Sequence, residues 1–483
     1  MMADKVKKKI LFIHPQGVNW MPGETDVDIS RIANIMPPIG LCSLAAWVDK
    51  HGHSSFIHDC YAFPGQDKKI MEFIEAESPD YVGFTATTSS FLDAYRIAGI
   101  IKEERPEIDI IFGGVHITSM REQLMRDYPL IDYGIVGEGE IPLQTLMDED
   151  YGSLSDVPGL MYREDGEIKF SGYGTKNQLL KLDDLPFPAY GKLEGFPKAY
   201  KLPLFNYPKS PNTTVVSSRG CPYQCSYCDR TVFQQSFRYN SAEYMFNLVK
   251  HLNREYGVRH INYYDDLFTL KRSRVVDFCN MMIESGLGMT FNCAARSEHV
   301  DLELLKLLKK AGCWMISLGI ETGDPELLKL HRSNSDLDMI RDKVALIKKA
   351  GIRIKGLFIL GLPGETEESI DKSIDYALSL SLNDMNVAKF TPFPGSPIYK
   401  DIGKYGTFDE KWELMNCTNF IFIPNGFTRE RLEERHREFY RRHFERFHIL
   451  FNYVTMLWSS PESWVRLLWN AADIRKSLKG NKK

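Results

Sequence analysis

Thr213-Thr-Val-Val-Ser-Ser-Arg-Gly-Cys-Pro-Tyr-Gln-Cys-Ser-Tyr-Cys-Asp229 is the stretch that decides the fold of this 483-residue chain. It begins with a β-branched run, which is typical of a strand, and passes through a glycine into three cysteines. Cys221, Cys225 and Cys228 follow the spacing Cys-x3-Cys-x2-Cys, with no fourth cysteine nearby. The stretch therefore predicts a strand that ends in a metal-binding loop.

The number of cysteines in this loop indicates which metal centre it favours. Structural zinc sites are closed tetrahedra with four ligands, which are usually supplied as two pairs. Three thiolates instead suit a [4Fe–4S] cluster that keeps one iron open for a substrate or a cofactor. A partial zinc loop or a chance grouping is the alternative that the spacing alone leaves open.

The loop resembles the signature of the radical SAM superfamily, with an aromatic residue, Tyr227, directly before the third cysteine. The resemblance implies that the open iron chelates the amino and carboxylate groups of S-adenosylmethionine. An electron from the cluster then splits the sulfonium and produces a 5′-deoxyadenosyl radical. The protein would hold the sulfonium against the cluster in a dry site.

Composition indicates a soluble protein, and the length of the chain allows two or three domains. Hydrophobic and charged contents of 43% and 26% are ordinary. A net charge of −4 gives no electrostatic footprint for nucleic acid. Nine cysteines, three of them clustered, favour free thiols over a disulfide framework. The first residues of the sequence lack a signal-peptide pattern. We therefore expect a cytoplasmic protein without a nucleic-acid partner, and an oxygen-labile cluster favours an anaerobic setting.

Residues 1–150 alternate short β-rich runs with longer amphipathic stretches, which predicts five strand–helix units. This order implies a parallel sheet with helices on both faces, whose ligands sit at the carboxyl ends of the strands. Small or polar residues that could cradle a large cofactor recur at those ends: Thr87, Ser89, Gly113, Gly114, Gly137 and Glu138. Simple tight turns explain glycine pairs equally well, so the pattern alone leaves both interpretations open.

From Pro37-Pro38-Ile39-Gly40-Leu41 to Gly137-Glu138-Gly139-Glu140, this pattern is similar to the cobalamin-binding domain of the B12-binding radical SAM family. That family includes the anaerobic magnesium-protoporphyrin monomethyl ester cyclase, hopanoid-tailoring enzymes and C-methylases. The Asp-x-His-x-x-Gly loop of some cobalamin proteins is absent after the first strand, where residues 15–20 read Pro-Gln-Gly-Val-Asn-Trp. The resemblance therefore implies cobalamin without an axial histidine, and the departure leaves room for a domain that has lost its cofactor.

The predicted fold class is α/β, with four segments along the chain. Residues 1–150 form a Rossmann-like cobalamin-binding domain. Residues 151–205 are rich in proline and predict a linker with one hairpin that turns at Asp165-Gly166. Residues 206–400 alternate six strands with helices, enough for a (βα)6 partial TIM barrel, and residues 401–483 form a C-terminal helical segment.

Chemically active side chains fall at the carboxyl ends of the predicted barrel strands, where barrels build their active sites. Asp265 or Asp266 could accept the ammonium of S-adenosylmethionine, and Glu321 and Arg296 are candidates for its ribose hydroxyls and carboxylate. The turn from Gly361 to Gly364 would let the backbone close on adenine. Each of these residues could equally cap a helix or a turn, and the sequence assigns no catalytic residue.

The C-terminal segment predicts a charged helix over 427–449 whose apolar residues share roughly one side: Leu432, Phe439, Phe444 and Phe447. The tryptophan-rich stretches that follow contain no apolar run long enough to span a membrane. These helices could cover the open side of the barrel, or they could form a surface for an apolar substrate or a membrane.

The resemblance leads us to expect a cobalamin-dependent radical SAM enzyme that functionalises an unactivated carbon, with methyl transfer favoured. The abundant aromatic residues suit a small, apolar or ring-bearing substrate. Anaerobic oxidative cyclisation of the magnesium-protoporphyrin monomethyl ester type is the alternative within enzymes. A cluster-bearing accessory or sensor protein without cobalamin chemistry is the alternative of another class. The resemblance also implies an electron donor such as flavodoxin or ferredoxin.

Overall fold

The computed structural model describes residues 7–17, 34–149, 151–173, 180–332 and 334–469. The chain divides into two compact units. The first contains the described residues of 1–24, 37–199 and 229–234, and the second contains those of 25–36, 200–228 and 235–483. Each unit is built on a sheet of its own.

The strands of the first unit are β1 Lys9–His14, β2 Ser54–Asp59, β3 Tyr81–Thr85, β4 Asp109–Gly113, β5 Tyr133–Ile135, β6 Leu160–Glu164 and β7 Glu167–Phe170. Its helices are α1 Ile39–Lys50, α2 Asp67–Glu77, α3 Phe91–Glu104, α4 Val115–Met120, α5 Glu122–Asp127 and α6 Glu140–Asp148. The seven strands form one sheet in the order β2-β1-β3-β4-β5-β6-β7. The first five run parallel, so the order reverses between β1 and β3. In open α/β sheets such a reversal marks the crevice in which ligands bind.

The sequence of β1 shows why this sheet forms. Ile10, Leu11, Phe12 and Ile13 make an uninterrupted apolar run, and all four side chains are buried. Strands that are buried on both faces are typical of parallel sheets covered by helices. The predicted Rossmann-like domain is therefore confirmed.

The predicted hairpin extends this sheet. Asp165 and Gly166 both adopt positive φ, as a two-residue hairpin turn requires. Strand β6 then pairs antiparallel with β5, so the hairpin belongs to the first unit. The boundary drawn at residue 150 from the sequence differs from the structural one near residue 199, because a proline-rich composition does not reveal strand pairing.

The strands of the second unit are β8 Asn212–Val215, β9 Ser218–Arg219, β10 Arg238–Tyr239, β11 His260–Tyr263, β12 Thr290–Ala295, β13 Cys313–Glu321, β14 Arg353–Leu360, β15 Asp384–Lys389, β16 Gly406–Phe408 and β17 Phe422–Pro424. Six of them form a parallel sheet in the order β15-β14-β13-β12-β11-β8. The pairs β9 with β10 and β16 with β17 are short antiparallel ribbons. The predicted six-stranded partial barrel is confirmed.

The helices of the second unit are α7 Ala242–Tyr256, α8 Arg272–Ser285, α9 Leu302–Lys310, α10 Pro325–His331, α11 Leu337–Lys349, α12 Glu367–Ser379, α13 Arg429–Phe444, α14 Phe447–Ser459 and α15 Pro461–Trp469. Side-chain caps fix where four of the barrel helices begin. Ser241, Asp301, Asp336 and Thr366 each accept a hydrogen bond from the backbone amide three residues on. These caps also set the length of the loops that carry the candidate site.

Helix α13 packs against the barrel along its length. Arg431 pairs with Glu367 of α12 (2.6 Å), and Phe439 is buried with its ring centroid 5.2 Å from that of Phe358 in β14. The helix ends at Phe444, and α14 begins at Phe447, whose side chain is 82% exposed. The single helix predicted over 427–449 is therefore two helices with different surroundings. Within the described ranges, no helix is long and apolar enough to cross a membrane.

Replacing Phe439 with alanine should destabilise the second unit by about 3–5 kcal/mol, because the change leaves a cavity between α13 and β14. Phe447→Ala is the matched control, and its exposed ring should change the stability by less than about 0.5 kcal/mol. The urea midpoint of unfolding measures both effects. Equal midpoints for the two variants would contradict the packing described for α13.

Candidate functional site

The three cysteines lie on the loop between β9 and β10, beyond the carboxyl end of β8. Gly220, at φ +86°, turns the chain out of β9 into this loop. The Cys228 amide donates to the Cys225 carbonyl (3.3 Å), which closes a turn around the second and third cysteines. None of the three cysteines forms a disulfide, Cys225 is buried, and Cys221 and Cys228 are partly exposed. Burial raises the pKa of the Cys221 thiol.

The chemistry of this donor set fits a [4Fe–4S] cluster. Three soft thiols stand on one loop, and each thiolate of such a cluster binds a different iron, so the sulfur atoms need not converge on one point. Among the described residues, no three His, Cys, Asp or Glu side chains are grouped so that they could hold a metal ion. The assignment of the three cysteines to a cluster therefore rests on their number, spacing and shared loop.

Arg296 brings a positive charge to the cysteine loop. Its Nη1 lies 3.9 Å from the Cys225 sulfur, and its guanidinium carbon lies 3.7 Å from the centroid of the Tyr223 ring. Glu298 accepts from Nη2 (2.8 Å), which holds the guanidinium in place. The guanidinium therefore places a fixed positive charge beside the sulfur of the middle cysteine.

His331 ties the cysteine loop to a second loop. Its Nδ1 accepts from the Ser226 hydroxyl (2.7 Å), and its Nε2–H donates to the Pro363 carbonyl (2.7 Å). Burial lowers the pKa of His331, and the neutral ring supplies one acceptor and one donor, as these two bonds require. No sequence pattern points to this residue, because a lone histidine at the end of a helix belongs to no motif.

Glu321 ends β13 in an unusual conformation. Its φ is +70°, in the left-handed region, and the pairing of β13 with β14 is irregular at this point. Its carboxylate accepts from Arg332 Nη1 (3.0 Å), and the same nitrogen donates to the Gly319 carbonyl (2.6 Å). Burial raises the pKa of Glu321, whereas Arg332 and a hydrogen bond from Tyr227 oppose that rise. The predicted ribose acceptor therefore lies beside the aromatic residue of the cysteine loop.

Asp265 and Asp266 have different surroundings. The Asp265 carboxylate is buried, accepts from the Ser217 amide and hydroxyl (both 2.5 Å), and lies 3.5 Å from Arg274 Nη2. Its oxygens are therefore occupied by partners that connect β8 to the loop after β11. Asp266 is solvent-exposed and accepts from the amide of Gly220, next to Cys221. Of the two predicted ammonium acceptors, the geometry favours Asp266.

Hydrogen bonds with neighbouring residues fix the backbone of the turn from Gly361 to Gly364. Both glycines adopt positive φ (+88° and +87°), and a Cβ on Gly361 would lie 3.2 Å from the Phe420 ring. The buried Glu365 carboxyl accepts from the Gly361 amide (2.7 Å) and the Ser369 hydroxyl (2.9 Å). Burial raises the pKa of Glu365 to about 7. The backbone conformation thus explains the glycines, and their contact with adenine stays a prediction.

In the first unit, Thr87 and Ser89 lie in the turn after β3, at the reversal of strand order. Thr87 is exposed, and its hydroxyl lies 3.3 Å from that of Ser89. His14, at the end of β1, has its Nδ1 2.8 Å from a carboxylate oxygen of Asp59 at the end of β2. The polar ends of three neighbouring strands therefore meet at one edge of the sheet, which fits a ligand at this crevice.

The predicted glycines follow the next two strands of that sheet. Gly113 ends β4, and Gly114 adopts φ +98° with its ideal Cβ position only 3.0 Å from Thr85 Oγ1. Gly137 follows β5 at φ +88°, and Glu138 comes directly after it, before α6. The six residues predicted to bind cobalamin thus lie at or just after the ends of β3, β4 and β5, at the carboxyl edge of one sheet.

Comparison with known proteins relates both units to described families. Residues 215–377 match the radical SAM superfamily, and residues 25–147 match the B12 binding domain. An uncharacterized methyltransferase of Pyrococcus horikoshii is 29% identical over 90% of this chain and 92% of its own length. The anaerobic magnesium-protoporphyrin IX monomethyl ester cyclase of Rubrivivax gelatinosus is 29% identical over 90% of this chain and 77% of its own length.

Solved structures share the fold. The radical S-adenosylmethionine methyltransferase TsrM from Kitasatospora setae, with cobalamin and a [4Fe–4S] cluster bound, matches with a TM-score of 0.66 and 17% identity over 83% of this chain and 75% of its own. The cobalamin-dependent S-adenosylmethionine radical enzyme OxsB matches with a TM-score of 0.64 and 20% identity over 77% of this chain and 52% of its own. Both likenesses support the same α/β architecture.

The two aspartates provide a test of the site geometry. Asp265→Asn should destabilise the second unit by about 3 kcal/mol or more, because it leaves the buried Arg274 guanidinium without its carboxylate. Asp266→Asn, the matched control, should change the stability by less than about 0.5 kcal/mol. Urea unfolding of the two variants measures the difference. Similar losses in both would show that the structural role assigned to Asp265 is mistaken.

Proposed function

We propose that this chain, whose residues 215–377 match the radical SAM superfamily and whose residues 25–147 match the B12 binding domain, is a cobalamin-dependent enzyme that functionalises an unactivated carbon of a small substrate. The observation that carries this proposal is the three-thiol loop at the carboxyl end of a six-stranded partial barrel, in one chain with a sheet of flavodoxin-like strand order. We favour methyl transfer as the reaction, on an apolar or ring-bearing substrate.

When bound, the cluster and S-adenosylmethionine supply a reductively generated 5′-deoxyadenosyl radical, and cobalamin supplies methyl-transfer chemistry. Cys221, Cys225 and Cys228 would hold the cluster and leave one iron without a protein ligand. Arg296 would stabilise the Cys225 thiolate through its charge. His331 would keep the cysteine loop in register with the turn that contains Pro363, as outer hydrogen bonds do at other metal sites.

The same edge of the barrel would bind S-adenosylmethionine. We assign the ammonium group to Asp266, because the Asp265 oxygens are already occupied. Glu321 would accept from the ribose hydroxyls, and Arg296 has a guanidinium that could reach the carboxylate. Gly361 and Gly364 would allow the backbone to approach adenine closely.

In the first unit, cobalamin would bind at the carboxyl edge of the sheet, next to the reversal between β1 and β3. Thr87, Ser89 and Glu138 offer polar groups there, and Gly113, Gly114 and Gly137 allow close approach of backbone. We propose that no histidine of this chain would coordinate the cobalt, because the loop after β1 lacks the Asp-x-His-x-x-Gly pattern.

A second candidate reaction is oxidative cyclisation. It is favoured by one observation, the 29% identity to the Rubrivivax gelatinosus cyclase over 90% of this chain. We further propose a cytoplasmic location, an anaerobic setting, and an electron donor such as flavodoxin or ferredoxin. Through its C-terminal helices, the chain would also contact a membrane surface without spanning it.

Anaerobic reconstitution with iron, sulfide and hydroxocobalamin, followed by reductant and S-adenosylmethionine, tests this function. We expect bound corrinoid, about four irons per chain, and 5′-deoxyadenosine detected by mass spectrometry. Cys225→Ala should abolish 5′-deoxyadenosine and keep the corrinoid, because the cluster ligand and the cobalamin sheet belong to different units. Cys293→Ala, which removes a buried cysteine of β12 outside the loop, is the matched control and should retain both.

Two outcomes would contradict the proposal in different ways. A protein with four irons bound that forms no 5′-deoxyadenosine would contradict the radical chemistry and favour an accessory or sensor protein. A protein that forms 5′-deoxyadenosine but binds no corrinoid would contradict the cobalamin-dependent part alone.

A further inference from the structure

Helix α14 exposes a continuous apolar stripe, which we name the C-terminal apolar face and define by Phe447, Leu450, Phe451, Val454, Leu457 and Trp458. These residues follow one another at spacings of one or three, so they lie on one side of the helix. Trp458 is 78% exposed, and α14 contains no Asp, Glu, Lys or Arg. On α15, Leu468 and Trp469 are likewise exposed. Exposed apolar patches of this extent mark interaction sites.

The opposite sides of α14 and α15 pack against other parts of the second unit. Ile449 and Met456 of α14 are fully buried, and the Tyr453 hydroxyl donates to Asp384 (3.2 Å). On α15, the buried Arg466 donates to the Leu202 carbonyl (2.9 Å). The helices are therefore held in place while the C-terminal apolar face points to solvent.

A cationic cleft of about 320 Å³ opens beside this face, and Trp458 lines it. Its two cations are Lys209, whose Nζ donates to the Gly288 carbonyl (2.6 Å), and Arg259, whose Nε donates to the Ser210 carbonyl (2.5 Å). Within the described ranges, neither cation forms an ion pair with a carboxylate, although Glu462 also lines the cleft. Both cations retain further N–H groups that can donate to an anion.

The sequence adds positive charge next to α15. Residues 470–483 contain five basic residues, Arg475, Lys476, Lys479, Lys482 and Lys483, and one acidic residue, Asp473. The whole chain has a net charge of −4, so this basic composition is local. Within the described structure, the apolar helix face and the cleft cations Lys209 and Arg259 provide the two attractions that hold a protein on an anionic membrane surface.

We propose that the C-terminal apolar face binds the surface of an anionic bilayer. The aromatic and aliphatic side chains would enter the boundary between headgroups and acyl chains, and Lys209 and Arg259 would lie near lipid phosphates. The stripe from Phe447 to Trp458 is shorter than two heptads, whereas a coiled coil between two copies needs three or four. The cations of the cleft favour an anionic surface over an uncharged partner.

This inference specifies the membrane contact proposed above, and it needs no cleavage of S-adenosylmethionine. Sedimentation of the full chain with vesicles of phosphatidylcholine and phosphatidylglycerol in equal parts tests it. We expect binding that weakens when salt rises from about 0.1 to 0.5 M, since screening shortens the reach of the charges. Vesicles of phosphatidylcholine alone should bind less.

Two variants and one control sharpen the test. Phe451→Glu combined with Trp458→Glu should lower vesicle partitioning by at least about tenfold, because both side chains would otherwise be buried in the interface. Lys209→Gln should lower binding to the anionic vesicles by about fivefold and leave binding to phosphatidylcholine unchanged. Met339→Glu changes an exposed apolar side chain of α11, outside the C-terminal apolar face, and should bind like the parent.

Equal, salt-independent binding to both kinds of vesicle would overturn the anionic specificity. The chain could instead fail to bind vesicles and form a dimer in size-exclusion chromatography that the double variant dissociates. That result would overturn the proposed membrane binding and assign the C-terminal apolar face to contact with a second copy. Formation of 5′-deoxyadenosine, measured in the same preparation without vesicles, reports separately on the radical chemistry. The two proposals can therefore fail independently.

Discussion

Two consecutive buried residues, His331 and Arg332, connect the three loops on which the candidate site depends. His331 bonds to Ser226 in the cysteine loop and to Pro363 in the turn after β14, while Arg332 bonds to Glu321 at the end of β13. Loops at the edge of a barrel have no sheet partners of their own, so their relative positions need such cross-links. The end of a single short helix, α10, thereby connects the three-cysteine loop to the end of β13 and to the turn after β14.

The charged residues at this edge of the barrel fall into two groups: one stabilises the fold, and the other lies beside the three-cysteine loop. Asp265 and Arg274 are buried and form an ion pair beside the end of β8. In contrast, Arg296 reaches the Cys225 sulfur, and Asp266 faces solvent. Buried charges are tolerated only when they are paired and hydrogen-bonded, which Asp265 satisfies through Ser217. Of the two neighbouring aspartates, Asp266 is therefore the one whose carboxylate is not bound by Ser217 and Arg274.

Much of the fold could be predicted because local signals agree with it. Ser241 and Thr366 stand directly before amphipathic stretches, so the starts of α7 and α12 could be read from the sequence. The cysteine spacing likewise predicts the metal-binding loop. Asp265 and Asp266 could not be told apart, because the burial of Asp265 depends on Ser217, which lies 48 residues away in the sequence, and on the way Arg274 of α8 folds back onto it. His331 and the pairing of β6 with β5 gave no local signal for the same reason.

We propose that the three-thiol loop holds a cluster whose open iron binds S-adenosylmethionine. The most direct measurement is electron–nuclear double resonance on the reduced, reconstituted protein, with S-adenosylmethionine labelled by ¹⁵N at the amino group and ¹⁷O at the carboxylate. We expect hyperfine coupling of both labels to the cluster, because both groups would be iron ligands. An intact cluster that shows neither coupling in the presence of saturating S-adenosylmethionine would contradict it.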